Sequence, residues 1–221
     1  MNQLPSKTSL RQKLKSLLRN VSGVAMIEFA YSLPLLTLVG MGATELTNYA
    51  WVKLQVSQIA LNMADHASRL GENGVLQEIK IYESDINDLF TGAELESGSM
   101  DLAANGRLIL SSLRQNDDGG QWIQWQRCTG SMDHASSYGE EGDGETGTSF
   151  PGMGKSGSEI TAASGTAVMF VEVAYTYQPL FTDKWVPGPK QLVEFAAFNV
   201  RDDRDLTQIY TTSGATASTC D

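Results

Sequence analysis

The stretch SGVAMIEFAYSLPLL, residues 22–36, sets a single carboxylate, Glu28, inside an apolar run. From Val24 to Thr44 the one other ionisable side chain is Tyr31, whose phenol is neutral near pH 7. As a helix these 21 residues would be about 30 Å long, enough to cross the hydrocarbon of a bilayer. A carboxylate at that depth costs ~2.5–3.5 kcal/mol on insertion scales, so it calls for a partner or a task.

The sequence outside this run indicates its orientation. Residues 1–23 carry Lys7, Arg11, Lys13, Lys15 and Arg19 and no acid, whereas the 198 residues after Gly23 hold 11 basic and 26 acidic residues, a balance of −15. By the positive-inside rule the basic end is cytoplasmic and the acidic body is exported. An acidic body argues against nucleic acid as a partner, because phosphate contacts need clustered Lys and Arg. Cys128 and Cys220 both lie in the exported part. An even count in an oxidising compartment reads as one disulfide; two unrelated buried thiols are the alternative.

A secretory signal peptide would have a shorter apolar core followed by a small-x-small cleavage site. A plain anchor accounts for the length and leaves Glu28 unexplained. The remaining reading is cleavage before the apolar segment, at Gly23. There Gly23 is followed by Val24-Ala25-Met26-Ile27 and then Glu28-Phe29. This spacing resembles the prepilin processing motif, and the register of GVAMIEFAYSLPLLTLVGMGATEL resembles the TadE-like minor pilins of the Tad (Flp-type, tight-adherence) pilus. DLAANGRLILSSL, QWIQWQRCTG and VEVAYTYQPLF resemble segments of the same family. The resemblance implies a prepilin peptidase that cuts between Gly23 and Val24, and a mature chain with Glu28 and Phe29 as its fifth and sixth residues. Cleavage there creates an α-amino cation at the membrane edge. In a bundle of parallel helices, Glu28 of one subunit can meet the new amine of a staggered neighbour; pairing offsets much of the cost of burying either charge. The alternative is a carboxylate that snorkels to the headgroups.

Past Thr44 the pattern turns amphipathic. Tyr49, Val52, Val56, Ile59, Met63, Ala67 and Leu70 recur at intervals of three or four, so one helix is expected from about Val24 to Leu70, bent at Pro34 and stopped by Gly71 and the GENG that starts there. YESDINDLFTGAELES reads as a second helix capped at Ser84 or Asp85. GRLILSSLRQ and QWIQWQRC read as strands joined by the turn NDDGG, and AVMFVEVAYTYQPLF and QLVEFAAFNVRD as longer strands joined by VPGP. Residues 129–158, dense in Gly, Ser and acid, read as an exposed, mobile loop. The expected fold class is α+β: a long N-terminal transmembrane and amphipathic helix packed on a small antiparallel sheet, pilin-like. The expected divisions are a basic leader 1–23 that is removed, a transmembrane helix 24–44, its amphipathic continuation 45–70, and an exported domain 71–221.

No catalytic or metal-ligating constellation stands out. His66 and His134 have no second histidine or cysteine at metal-ligand spacing, and Cys128 has no nearby base. SFPGMGKSG approaches a P-loop but has Ser149 where the pattern needs glycine. Glu140, Glu141, Asp143 and Glu145 lack EF-hand spacing, and Trp122/Trp125 and Tyr175/Tyr177 read as packing rather than as a sugar-binding face. No cofactor or metal is expected, and the chain is read as a non-enzyme. The expected role is that of a minor pilin or pseudopilin in assembly or initiation of an adhesive Tad-type pilus, single-pass in the inner membrane. Its N-terminus would be cytoplasmic and its C-terminal domain periplasmic, or extracellular in the pilus. Its partners would be the prepilin peptidase, other pilin subunits and the inner-membrane pilus machinery. The alternative is a membrane-anchored periplasmic binding or adhesion domain that never enters a filament.

Overall fold

The apolar run is helical throughout. The computed structural model describes residues 10–19, 22–71, 79–181, 191–201 and 204–220. A short helix α1 (Leu10–Leu18) precedes α2 (Ser22–Ala67), which continues through Pro34 for 46 residues. The chain divides into two compact units, Met1–Thr47 and Asn48–Asp221, and α2 contributes to both. In the second unit follow α3 (Glu83–Ser97), a single 3-10 turn (Gly98–Met100), α4 (Leu102–Asn105), and strands β1 (Gly106–Gln115), β2 (Gln121–Thr129), β3 (Ala167–Thr176) and β4 (Gln191–Asn199). The class is α+β, with one antiparallel sheet in the order β2-β1-β3-β4.

Several element ends differ from the sequence expectation. Helix α2 stops at Ala67 rather than Leu70: the chain tightens there, with the Arg69 N–H donating to His66 O (2.9 Å) and the Leu70 N–H to Ala67 O (3.3 Å), and a distant side chain caps the turn. Arg204 donates from Nη2 to Ser68 O (2.6 Å) and from Nη1 to Ala67 O (3.5 Å), satisfying acceptors that a helix end leaves open. Helix α3 starts at Glu83, not at Ser84 or Asp85; the Asp85 carboxylate instead reaches back and accepts the Tyr82 N–H at 2.9 Å. Strand β3 ends at Thr176, before the Tyr177-Gln178-Pro179-Leu180-Phe181 of the expected strand, and β4 ends at Asn199, before Val200-Arg201. Of GENG only Gly71 is described, and VPGP lies outside the described residues.

The sheet is covered on both faces. On one, Val56, Ile59, Met63 and Ala67 of α2 and Ile86, Leu89, Phe90 and Ala93 of α3 pack on Leu108, Leu110, Met169, Val171, Val173 and Tyr175. A bulge sets which β2 side chains join them: Ser112 pairs with Trp125 but Leu113 with Ile123, leaving Gln124 unpaired. The extra residue breaks the alternation, so Trp125 lies in the helix-side core and Ile123 in the opposite one.

That opposite core takes in part of residues 129–158. Many of the segment's side chains are exposed, but its chain is tied down rather than free in solvent. Tyr138, Phe150, Met153, Ile160 and Ala162 cluster with Leu113, Ile123, Val168 and Phe170. The Tyr138 ring meets Phe170 and Phe195 at centroid distances of 5.3 and 4.9 Å. The Ile123 N–H donates to Asp143 O (3.0 Å) and Gly142 N–H to Ile123 O (2.8 Å). Asn116, buried in the β1–β2 turn, donates to Gly144 O and Gly147 O at 2.8 and 2.7 Å. Sparse apolar residues spaced among glycines suffice here because the sheet supplies the other half of the packing.

Candidate functional site

The segment Gly23–Phe29 forms the beginning of α2. Gly23 has no structural reason to be glycine within the described chain: a Cβ added there would meet nothing within 4 Å. At the second position of α2 the glycine adds nothing to the packing of the described residues. Gly40 and Gly42 are equally unencumbered.

The side chains after Gly23 face outward. Val24, Met26, Ile27, Phe29, Leu33, Leu35, Leu36, Leu38 and Val39 are each 48–76% exposed. A continuous apolar surface of this size does not stand in water. The helix is long and apolar enough to cross a membrane, and none of its most apolar window is buried by the rest of the protein. Its hydroxyls are adapted to such a setting. Thr37, Thr44 and Thr47 donate to the carbonyls of Leu33, Gly40 and Ala43 at 2.8–2.9 Å, and Ser32 to Phe29 O at 3.3 Å. Each spends its donor within the helix, which lowers its cost in hydrocarbon. Glu28 has no such internal solution. It is exposed and has no hydrogen-bond or ion-pair partner among the described residues. It stands four residues after Val24, about 6 Å further along the axis.

The other two residues marked by the sequence meet at the far end of the sheet. Cys128 and Cys220 are joined at disulfide distance, with Cα atoms 4.8 Å apart and a sequence separation of 92. The tail beyond Tyr210 also makes polar contacts: Ser218 O accepts the Cys128 N–H (2.8 Å), Cys220 O accepts from Arg107 Nη2 (2.9 Å), and Thr216 O accepts from Asn87 (2.9 Å). The Cys128 N–H, and the Gln126 N–H that Glu141 accepts at 2.8 Å, are the donors so occupied on the free edge of β2. A cleft of about 580 Å³ beside the disulfide is lined by Arg107, Arg127, His134, Glu140 and Glu141 among others. Its guanidinium groups face protein: Arg127 pairs with Glu83 through contacts of 2.7–3.2 Å, and Arg107 reaches Gly130 O and Cys220 O.

A cluster that the sequence did not single out lies on the loop side of β3. Glu172, 1% exposed, accepts from His134 Nε2 (2.9 Å), from Ser136 Oγ (2.9 Å) and from the Ser137 N–H (3.1 Å). The other imidazole nitrogen meets the Gln191 amide at 2.9 Å. Ser136 is turned to the carboxylate and not to the imidazole, so the three side chains do not form a serine nucleophile with its base. They bind the start of the covering segment to two strands. Their spacing, 134, 136 and 172, carries no motif; a glutamate in the middle of an otherwise apolar strand was the available signal. His66, by contrast, is exposed on α2. Among the described residues no group of three or more His, Cys, Asp or Glu is placed to hold a metal.

Comparison with known proteins bears on the first of these regions. The family model for TadE-like proteins matches residues 23–65, beginning at Gly23 and running through the Glu28-Phe29 pair and most of α2. No curated protein and no solved structure matches the chain. In this helix the chain is similar to TadE-like proteins.

Proposed function

We propose that this TadE-like chain is a minor pilin or pseudopilin of a Tad-type pilus. It is made as a precursor, cut after Gly23 by a prepilin peptidase on the cytoplasmic side of the inner membrane, and assembled with other pilins through Glu28. It has no catalytic activity of its own. The observation that carries this reading is the pairing of a glycine that the fold does not need with an unpartnered carboxylate one turn later, at the start of an exposed apolar helix. A peptidase that must close on the scissile bond explains the first. A charge awaiting an amine from a neighbouring subunit explains the second.

Two measurements test it. The intact mass of membrane-extracted protein is expected to place the mature N-terminus at Val24; an N-terminus in the forties would establish an ordinary signal peptide, and an uncut chain an anchored domain outside the filament. Glu28→Gln is expected to insert, fold and be cleaved, since a neutral amide is cheaper in lipid than a carboxylate, but to lose co-purifying pilins. Leaving a buried amine unpaired costs ~3–5 kcal/mol, enough to abolish recovery of partners. Equal recovery from both membranes, with normal pili, would mean that Glu28 merely snorkels.

A further inference from the structure

Helix α1 has a surface that none of the described residues covers. Leu10, Leu14, Leu17 and Leu18 are 58–83% exposed, and α1 has no buried residue. On a helix these four fall within an arc of about 100°. Arg11 and Lys15 border that arc on one side and Lys13 on the other, while the far face carries uncharged Gln12 and Ser16. Residues 1–23 contain no acid. A helix made for bulk water would have its charges opposite its leucines. Cations placed along both borders suit a helix lying flat in a lipid headgroup layer, where leucines enter the acyl boundary and basic side chains reach sideways to phosphates. The chain also confines α1 to such a layer. Between Arg19 and Gly23 there are four residue steps, at most about 14 Å of extended backbone, and Val24 opens the membrane-length apolar helix.

We propose that α1 of the precursor is an interfacial helix that docks on anionic lipid and thereby holds the Gly23–Val24 bond at the bilayer edge. The partner is the lipid surface itself; the proposal rests on the membrane-spanning reading of α2.

The test uses the full-length, uncleaved chain reconstituted into vesicles of phosphatidylcholine with about a third phosphatidylglycerol. Nitroxides are attached one at a time at Leu10→Cys, Gln12→Cys, Leu14→Cys, Ser16→Cys and Leu17→Cys, with the native cysteines left oxidised, and a probe at Leu36→Cys reports on α2. The expected result is a helical period: probes at 10, 14 and 17 relax with oxygen and are shielded from a water-soluble nickel chelate, and those at 12 and 16 do the reverse. In vesicles of phosphatidylcholine alone, and in the anionic vesicles with Lys13→Gln/Lys15→Gln, the period should flatten. Each basic residue near an anionic surface contributes about fivefold to the docked population. A flat, chelate-accessible profile in anionic vesicles, with Leu36 shielded, would overturn the proposal alone and leave a protein as the occupant of the leucine face. A chelate-accessible probe at Leu36 would overturn the spanning reading and the proposal together.

Discussion

Removing the covalent link between Cys128 and Cys220 should release the C-terminal tail before it unfolds the domain. The bond closes a loop across 92 positions, and on the chain-entropy account its loss frees the unfolded chain by about 4.6 kcal/mol. The folded state also responds. From Thr211 to Cys220 the tail has no large apolar side chain. It is held by a few polar contacts, those of Thr212, Thr216, Ser218 and Cys220 described or implied by the bonds Ser84–Thr212 (3.2 Å), Asn87–Thr216 (2.9 Å), Asn87–Ser218 (2.8 Å), Cys128–Ser218 (2.8 Å) and Arg107–Cys220 (2.9 Å). Such bonds contribute roughly 0.5–1.5 kcal/mol each, whereas ordering each residue's backbone costs ~1–2 kcal/mol. Five bonds over ten residues do not hold the tail by themselves. With Cys128→Ser/Cys220→Ser the tail should therefore detach, the native state should recover entropy as well, and the net loss of stability should fall to ~2–3 kcal/mol, below the closure figure.

Urea unfolding of the detergent-solubilised chain, followed by tryptophan fluorescence, gives the stability change. Amide exchange of residue 128 reports the detachment, because its N–H donates to Ser218 O and not to the neighbouring strand. The expected pattern is a lowered midpoint, fast exchange at 128, and retained protection in the central β1–β3 pair. An unchanged midpoint, or a residue 128 amide that stays protected without the bond, would refute the reasoning.

The remaining expectations concern the covering segment, a buried ion pair and acid stability. Gly144 has φ +75° and an added Cβ would lie 2.1 Å from Gln121 O, whereas Gly142, at φ +94°, has open space. Gly142→Ala should therefore cost ~1–2 kcal/mol of backbone strain and Gly144→Ala distinctly more; equal midpoints in denaturant would mean that the segment is not seated on β2. Glu83→Ala should destabilise by about 3 kcal/mol, the low end for a broken buried pair, because Arg127 keeps Gln126 O and Glu141; Glu83→Met/Arg127→Leu should recover most of that in the same assay. Hydrogen bonds from the Thr207 and Tyr210 hydroxyls and the Thr207 N–H, and the charge of Lys80, hold Asp205 below the ordinary aspartate value. A depressed folded pKa contributes stability that is present above the unfolded value, near 3.9, and is lost as pH falls through the folded one. Exchange at the Tyr210 amide, which donates to Ile81 O, should thus accelerate only below that range in the wild type, and not further in Asp205→Asn; acceleration starting near neutral pH would contradict this.

What the sequence determined by itself is local and periodic. The length of the apolar run, the basic end before it, the isolated Glu28 five residues after Gly23, the three-four spacing from Tyr49 to Ala67 and the four runs of strand-forming residues are each complete within a short window, and each depends on physics that acts within one helix or strand. Cys128 and Cys220 could be paired on paper because no third cysteine competes. Tertiary structure decided what windows cannot hold. The end of helix α2 at Ala67 is capped by Arg204, 137 residues away. Trp125 and Ile123 fall on opposite faces because one residue is bulged out of β2. A Gly/Ser/acid-rich segment that looks solvated is packed because Phe170, Phe195 and Ile123 meet its few apolar residues, and because Glu172 finds His134 and Ser136. Burial depends on the partner that chain topology delivers, and a sequence window contains only one side of that contact.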